Sequence, residues 1–395
     1  MQSSPTNDYY VNWFLQSNFR IDEHVTSPSS NANYLQSLFY GSDRYSIKRM
    51  ITMNENTQEH HDRDHSIITR SACLATIIRN LSFIDENDSL ANDRCLLDIL
   101  ERILICSHDQ MHDLFTDEFS SEDFIERFTK SSIDERMDCS LSCRNDCHQQ
   151  HLMYLLDNTF ITLSNLSALI TLGHCHFGTR YRLVNTIVHW ICCPLSIANE
   201  PFISMLAEDQ MRIFISARQI SLQIFARLCT NELNVDLIFL DLNFSQLKFF
   251  GHTLLSIMNA SSSSEDPDRE YCLIIIYSLC KRNDQLVQFF ASQLVCLESI
   301  FNYLECYECH QQEYLIATLT SCYQPNSFVP VNISGDMMID SCIQLLELFA
   351  SIKEKNYLRL FEHRLLEMSS SIYFEQRILK AFANILFLIQ FLEIN

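Results

Sequence analysis

Five glycines and seven prolines in 395 residues leave this chain few means of making tight turns. A β-sandwich or barrel needs a turn about every 8–12 residues, and those turns lean on Gly, Pro and Asn-Gly pairs. Average usage would supply about 28 Gly and about 20 Pro. Neither GxGxxG nor GxxxxGK[ST] occurs, so the glycine-rich phosphate loops of nucleotide-binding α/β folds are missing too. Helices joined by irregular polar loops are the expected solution. The length suits roughly two to three compact domains or one elongated array. A hydrophobic content of 47% is enough to bury a sizeable core.

Apolar spacing agrees. Leu74, Ile77, Ile78 and Leu81 fall at i, i+3, i+4 and i+7, which is one face of a helix. Leu96, Leu97, Leu100, Ile103 and Leu104 repeat the pattern. It resumes at 152–166, 181–192, 211–229, 244–259, 271–280, 285–305, 339–352 and 372–392. Pro, Ser and Asp mark loops at 261–270 and 324–337. Between Asp109 and Asp138 ten acids face three bases without sustained periodicity, so 107–148 is expected to be a mobile acidic insertion. Residues 1–66 read as an irregular N-terminal segment with one or two short helices, closed by the polar linker 52–66.

The helix centres echo one another. Ile77 to Ser82 (IIRNLS) resembles Thr162 to Ser167 (TLSNLS). Weaker echoes are Phe225 to Cys229, Ile276 to Cys280 and Phe382 to Leu386. Asn80 and Asn165 are 85 residues apart, about twice the armadillo/HEAT period of about 40–47. The expected fold is therefore all-α: an armadillo/HEAT-like right-handed α-solenoid with irregular repeats over 67–395, interrupted by the acidic loop insertion. No helix hairpin covers its own apolar face, so neighbours stack and extend one core. An Asn inside such a face is expected to bond a turn of the adjacent repeat; the alternative is a groove-facing Asn that bonds a guest backbone.

A net charge of −21 repels phosphate backbones, so no direct nucleic-acid partner is expected, and basic protein segments suit it better. The 17 cysteines are an odd number spread without a dense framework, and the opening MQSSPTNDYY lacks the features of a signal peptide. Reduced thiols, mostly buried as small hydrophobes, are expected in cytosol or nucleus. No apolar run of membrane-spanning length occurs; the nearest, 379–392, is short and carries Lys380 and Gln390.

Six segments then stand in a telling order. They are LATIIRNLSF (74–83) with LLDILERIL (96–104), LLDNTFITLSNLS (155–167), and Ile187 to Pro194 (IVHWICCP) with Pro201 and Phe202 after it. Arg227-Leu228 with Asn234 to Ile238 (NVDLI), and His363 to Leu366 (HRLL), complete the set. The set resembles the C-terminal domain of the large ARID-bearing subunits of SWI/SNF (BAF-type) chromatin remodellers, the Osa/eyelid-like family, over about 70–392. That resemblance implies an armadillo-like scaffold in the nucleus that grips a basic helical region of the remodelling ATPase and joins it to core subunits, without catalysis. The family's ARID domain and its Gln/Pro/Ser-rich flank have no counterpart in these residues, so DNA binding is not carried over. Glu362-His363 stands where the family tends to have Glu-Gly.

Other clusters have bland readings. Cys139, Cys143, Cys147, His148 and His151 have ligand chemistry, but on one helix the three Cys share a face too straight to wrap a tetrahedral ion. Cys306 to His310 matches C-x-x-C-H, yet it continues a helical pattern in a chain with no export signal. His60, His61, Asp62 and His65, and separately His174, Cys175 and His176, are read as polar-segment residues. The acids Asp117-Glu118, Glu122-Asp123 and Glu265-Asp266 lie in expected loops, which disfavours general acid work. Trp190 is read as a core residue. No catalytic, cofactor or metal residue is assigned, and no cofactor, small molecule or membrane is expected. The rival reading is a generic cytoplasmic helical-repeat adaptor, which the lack of a Lys/Arg import cluster favours.

Overall fold

A computed structural model describes residues 58–84, 88–115, 141–193, 198, 216–260, 267–320, 333–352 and 356–391. Every regular element among them is helical. The first unit carries α1 (Gln58–Ser82), α2 (Asp88–Ala91), α3 (Arg94–Phe115), α4 (Leu141–Leu166), a 3-10 turn (Leu172–His174), α5 (Phe177–Cys192) and α6 (Ala217–Cys229). The second carries α7 (Glu232–Asp241), α8 (Phe244–Ala260), α9 (Pro267–Cys280), α10 (Asp284–Ala291), α11 (Leu294–Thr320), α12 (Ile333–Ser351), α13 (Asn356–Arg359), α14 (Glu362–Ser369) and α15 (Gln376–Phe391). No described helix is long and apolar enough to cross a membrane.

In the first unit α1 lies along α4, and α3 packs on both α4 and α5. Thr76 Oγ1 meets Tyr154 Oη at 3.1 Å, Arg79 donates to Asn158 Oδ1 at 3.4 Å, and Asn165 Nδ2 donates to Ser82 Oγ at 2.9 Å. The numbers rise together, so α1 and α4 run parallel. The two echoing segments are thus stacked neighbours, and Asn165 of one holds a serine of the other, which is the structural role expected of it. Asn80 is instead exposed. From Leu155 to Leu166 α4 is buried nearly all round, and several of its polar groups bond back to their own helix. Thr159, Thr162 and Asn158 each donate to the carbonyl four residues back, at 2.7–2.8 Å. α6 joins the same stack: Ser164 Oγ donates to Gln223, and Arg227 donates to the Ser164 carbonyl at 2.6 Å.

The second unit stacks in the same manner. α9 packs on α12 and α12 on α15, while α8 packs on α9 and α11. The order of a short helix followed by two long ones appears as α7–α8–α9 and again as α10–α11–α12. This is the armadillo-like arrangement, and all the echoing segments sit on stacking helices: α1, α4 and α6 in one unit, α9 and α15 in the other. α8 shows why the stripe works. Leu247, Phe250, Gly251, Leu254, Leu255 and Met258 are all buried and keep helical spacing.

Asparagine does much of the turning. Asn231 caps α7 by accepting from Leu233 N, and Asn283 caps α10 by accepting from Gln285 N and Leu286 N. At α8, Asn243 and Gln246 exchange backbone-to-side-chain bonds, both 2.9 Å. The α14 start is fixed differently. Arg364 lies over the stacked rings of Phe301 and Phe361, donates to Asn302 at 2.8 Å, and pairs with Glu305.

Three features depart from the sequence reading. Ile77 and Leu81 are 53% and 41% exposed, although they share the expected apolar face. α1 meets α4 through Thr76, Arg79 and Ser82 instead, so its packed side is turned toward the polar seam. The stretch 107–148 is helical at both ends, with α3 reaching Phe115 and α4 starting at Leu141; residues 116–140 lie outside the described residues. The linker 52–66 likewise gives way to α1 at Gln58, and residues 1–57 lie outside the described residues.

Gly251 marks the tightest approach. A Cβ there would stand 2.8 Å from Phe289 Cε1 and 2.9 Å from Phe290 Cζ. Phe290 is fully buried and has no room to swing. Alanine gains about 1 kcal/mol of helix propensity, against about 1–3 kcal/mol for overpacking. Gly251→Ala is expected to lower stability by about 1 kcal/mol net, read by thermal unfolding; a raised melting temperature would show that the α8–α10 contact has slack.

Candidate functional site

The most polar interior feature is a ladder between α3 and α5. Asp93 Oδ1 accepts from Leu96 N and starts α3. His176 Nδ1 accepts from Gly178 N and starts α5. From those starts the helices run parallel. Thr179 Oγ1 donates to Asp98 at 3.2 Å. Arg182 donates to Glu101 at 3.1 Å and to Asp98 at 2.9 Å. His189 Nε2 lies 2.8 Å from His108 Nε2. Three rungs, Thr179–Asp98, Arg182–Glu101 and His189–His108, share a separation of 81 residues. Equal advance along two parallel helices gives that constancy.

The ladder changes character along its length. Asp98 and Arg182 are partly exposed, whereas the Glu101 side chain has no exposure. Burial pushes the Glu101 carboxyl up to about 7, and the Arg182 guanidinium pulls it back only in part. At the other end His108, His189 and Cys193 are all buried, with ligating atoms within 4.8 Å of one another. Trp190 is fully buried beside them, edge-on to His108 at 5.0 Å and to Phe160 at 5.4 Å. That is the core role expected of it. The Cys193 carbonyl accepts from Arg218.

The clusters seen in the sequence fare unequally. Cys143, Cys147, His148 and His151 all fall on α4, and Cys139 lies outside the described residues. Cys306 to His310 falls inside α11, with Cys306 Sγ 3.9 Å from His310 Nδ1 and Cys309 exposed. His60, His61, Asp62 and His65 belong to α1. His174, Cys175 and His176 share one turn without acting together. The His174 carbonyl accepts from Arg94, and His176 caps a helix. Asp117-Glu118, Glu122-Asp123 and Glu265-Asp266 lie outside the described residues. The His108–His189–Cys193 group escaped the sequence reading because His108 fell in the stretch read as an insertion. The four-residue step from His189 to Cys193 was the available signal.

Thirteen described cysteines are free thiols. Burial raises the thiols of Cys229, Cys280 and Cys342, and pushes Cys296 up to about 12. These are small hydrophobes rather than nucleophiles. A shallow depression of about 420 Å³ opens beside α7 and α8, lined by Asp236, Phe244, Leu247 and Arg282 among others.

Glu101 makes a pH signature. Its folded carboxyl holds its proton to about 7 against an ordinary 4.5, so the neutral form favours the fold. As pH rises past about 4.5 the unfolded chain ionises first and stability falls, levelling beyond about 7. Glu101→Gln stays neutral, so its stability relative to the unsubstituted chain is expected to climb by on the order of 3 kcal/mol across that window. Chemical unfolding at pH 5 and pH 8 reads the difference; a gap that does not change with pH contradicts the assignment.

Comparison with known proteins bears on these helices. A family model described as SWI/SNF-like complex subunit BAF250/Osa matches residues 66–334. The Trithorax group protein osa of Drosophila melanogaster is 22% identical over 231 residues, which is 58% of this chain and 7% of that protein. The chain therefore spans a small fraction of that relative's length. A designed armadillo repeat protein, YIII(Dq)4CqI, is 10% identical with a TM-score of 0.36, covering 87% of this chain and 98% of its own, a likeness too loose to bear on function. The segments that carry the family resemblance supply buried positions: Asp157, Asn158 and Thr159 on α4, His189 and Trp190 on α5, Asn234 on α7. The His363 to Leu366 segment lies beyond the matched span. With the match covering well over half of its residues, the chain belongs to the BAF250/Osa family of SWI/SNF-like complex subunits.

Proposed function

We propose that this chain is a non-catalytic scaffold subunit of a SWI/SNF-type chromatin-remodelling complex in the nucleus. In this reading its stacked helices hold a basic helical segment of the remodelling ATPase and join it to core subunits. The observation that carries the reading is the family match over residues 66–334. Two physical features support it. Stacked helices expose long continuous surfaces, which suit docking of other proteins. A net charge of −21 steers basic segments toward the chain and suppresses contact with DNA phosphates.

Capture experiments test it. The tagged chain in nuclear extract is expected to retain the ATPase subunit, identified by mass spectrometry, at about 0.1 M salt, where charges act over about 10 Å. Retention is expected to fall toward about 1 M, where screening shortens that reach to about 3 Å. Failure to capture the ATPase at low salt contradicts the scaffold reading. Capture that ignores salt removes the basic-helix element and keeps the rest. Exclusion of the chain from nuclei would favour the cytoplasmic adaptor.

A further inference from the structure

The buried end of the α3–α5 ladder has the chemistry of a metal site. His108 comes from α3, His189 from α5, and Cys193 from the residue that ends α5. His108 Nε2 is 2.8 Å from His189 Nε2 and 3.4 Å from Cys193 Sγ. Two Nε2 atoms at that distance do not both carry protons when the rings are neutral, so at least one offers a lone pair inward. Neutral imidazoles and a thiolate are the ligand set of a borderline-soft divalent ion.

We propose that His108, His189 and Cys193 bind a zinc(II) ion that staples α3 to α5. Zinc holds nitrogen at about 2.0–2.1 Å and sulfur at about 2.3 Å, and a tetrahedron then sets N···N at about 3.3 Å and N···S at about 3.6 Å. The observed separation of His108 Nε2 from Cys193 Sγ nearly meets this, and all three ligating atoms lie within 4.8 Å of one another. The imidazoles need to part by about half an ångström, from hydrogen-bond contact to shared coordination. Trp190, backed by Phe160, sets apolar surface against His108, which strengthens the ion's hold on its ligands. The Arg218 guanidinium donates to the Cys193 carbonyl and so fixes the backbone that carries the thiol. Loading balances simply. Zinc displaces the Cys193 thiol proton to solvent, both imidazoles stay neutral with their protons on Nδ1, and the fourth position goes to a solvent oxygen. The proposal replaces the sequence-based expectation of no metal. It is independent of which partners the chain holds.

The test uses the full chain, produced with zinc present and purified under reducing conditions. Elemental analysis is expected to find one zinc per chain that survives dialysis and yields to a strong chelator, with a fall in melting temperature. Cobalt(II) reconstitution is expected to give a thiolate-to-metal charge-transfer band. Cys193→Ala and His108→Asn are each expected to lose the ion and, with cobalt, the band. The double variant Cys143→Ala/Cys147→Ala is expected to keep both. Absence of zinc from the unsubstituted chain overturns the proposal. So does retention of the ion in Cys193→Ala, or its loss from the Cys143/Cys147 variant. If Cys193→Ala does not fold by circular dichroism, X-ray absorption of the unsubstituted zinc protein decides. One sulfur with two imidazoles supports the site, and any other set overturns it.

Discussion

A helix that cannot shield its own apolar side must borrow cover from another, and this requirement governs the protein. Its strictest form falls on α4, which has α1, α3 and α6 around it. With water excluded on nearly every side of residues 155–166, a polar group there is costly unless it has a partner. Thr159, Thr162 and Asn158 turn back on their own helix, while Ser164 and Asn165 reach to the neighbours on either side. The polar residues in this apolar run are therefore the fasteners of the stack. They also give each contact a single allowed position, which bare leucine surfaces do not.

Scarce glycine and proline follow from the same design. At the two- and three-residue junctions before α7, α8 and α10, a side-chain amide does the work that glycine does in other turns. Asn231, Asn243 and Asn283 each satisfy backbone donors that the helix leaves open. Gly251 then stands apart, since it is there to let two helices touch rather than to let the chain bend.

Much of this was legible in the sequence. All-helical architecture followed from turn chemistry and from apolar spacing, and the echoing segments marked the stacking helices of both units. α12 carries no such echo, although Met338, Ile339, Cys342, Leu345, Leu346 and Phe349 give it a buried apolar face. The exposure of Ile77 and Leu81 was hidden because spacing tells which residues share a face and not whether anything covers it. The ladder was hidden for a different reason. Asp98, Glu101 and His108 look like the solvated side of an amphipathic helix until their partners about eighty residues later are known, and no local pattern carries that pairing.

The shared separation of the ladder's rungs has an evolutionary corollary. Only the phase of each helix matters to the rungs, so the segments that join α3, α4 and α5 are free to lengthen or shorten without disturbing them. Inside α3 the tolerance vanishes. One residue inserted between Glu101 and His108 advances everything beyond it by about 100° around the helix axis. His108 would then leave His189 while Glu101 kept Arg182. Relatives of this chain should differ freely in linker length yet share a frozen reading frame across these few turns.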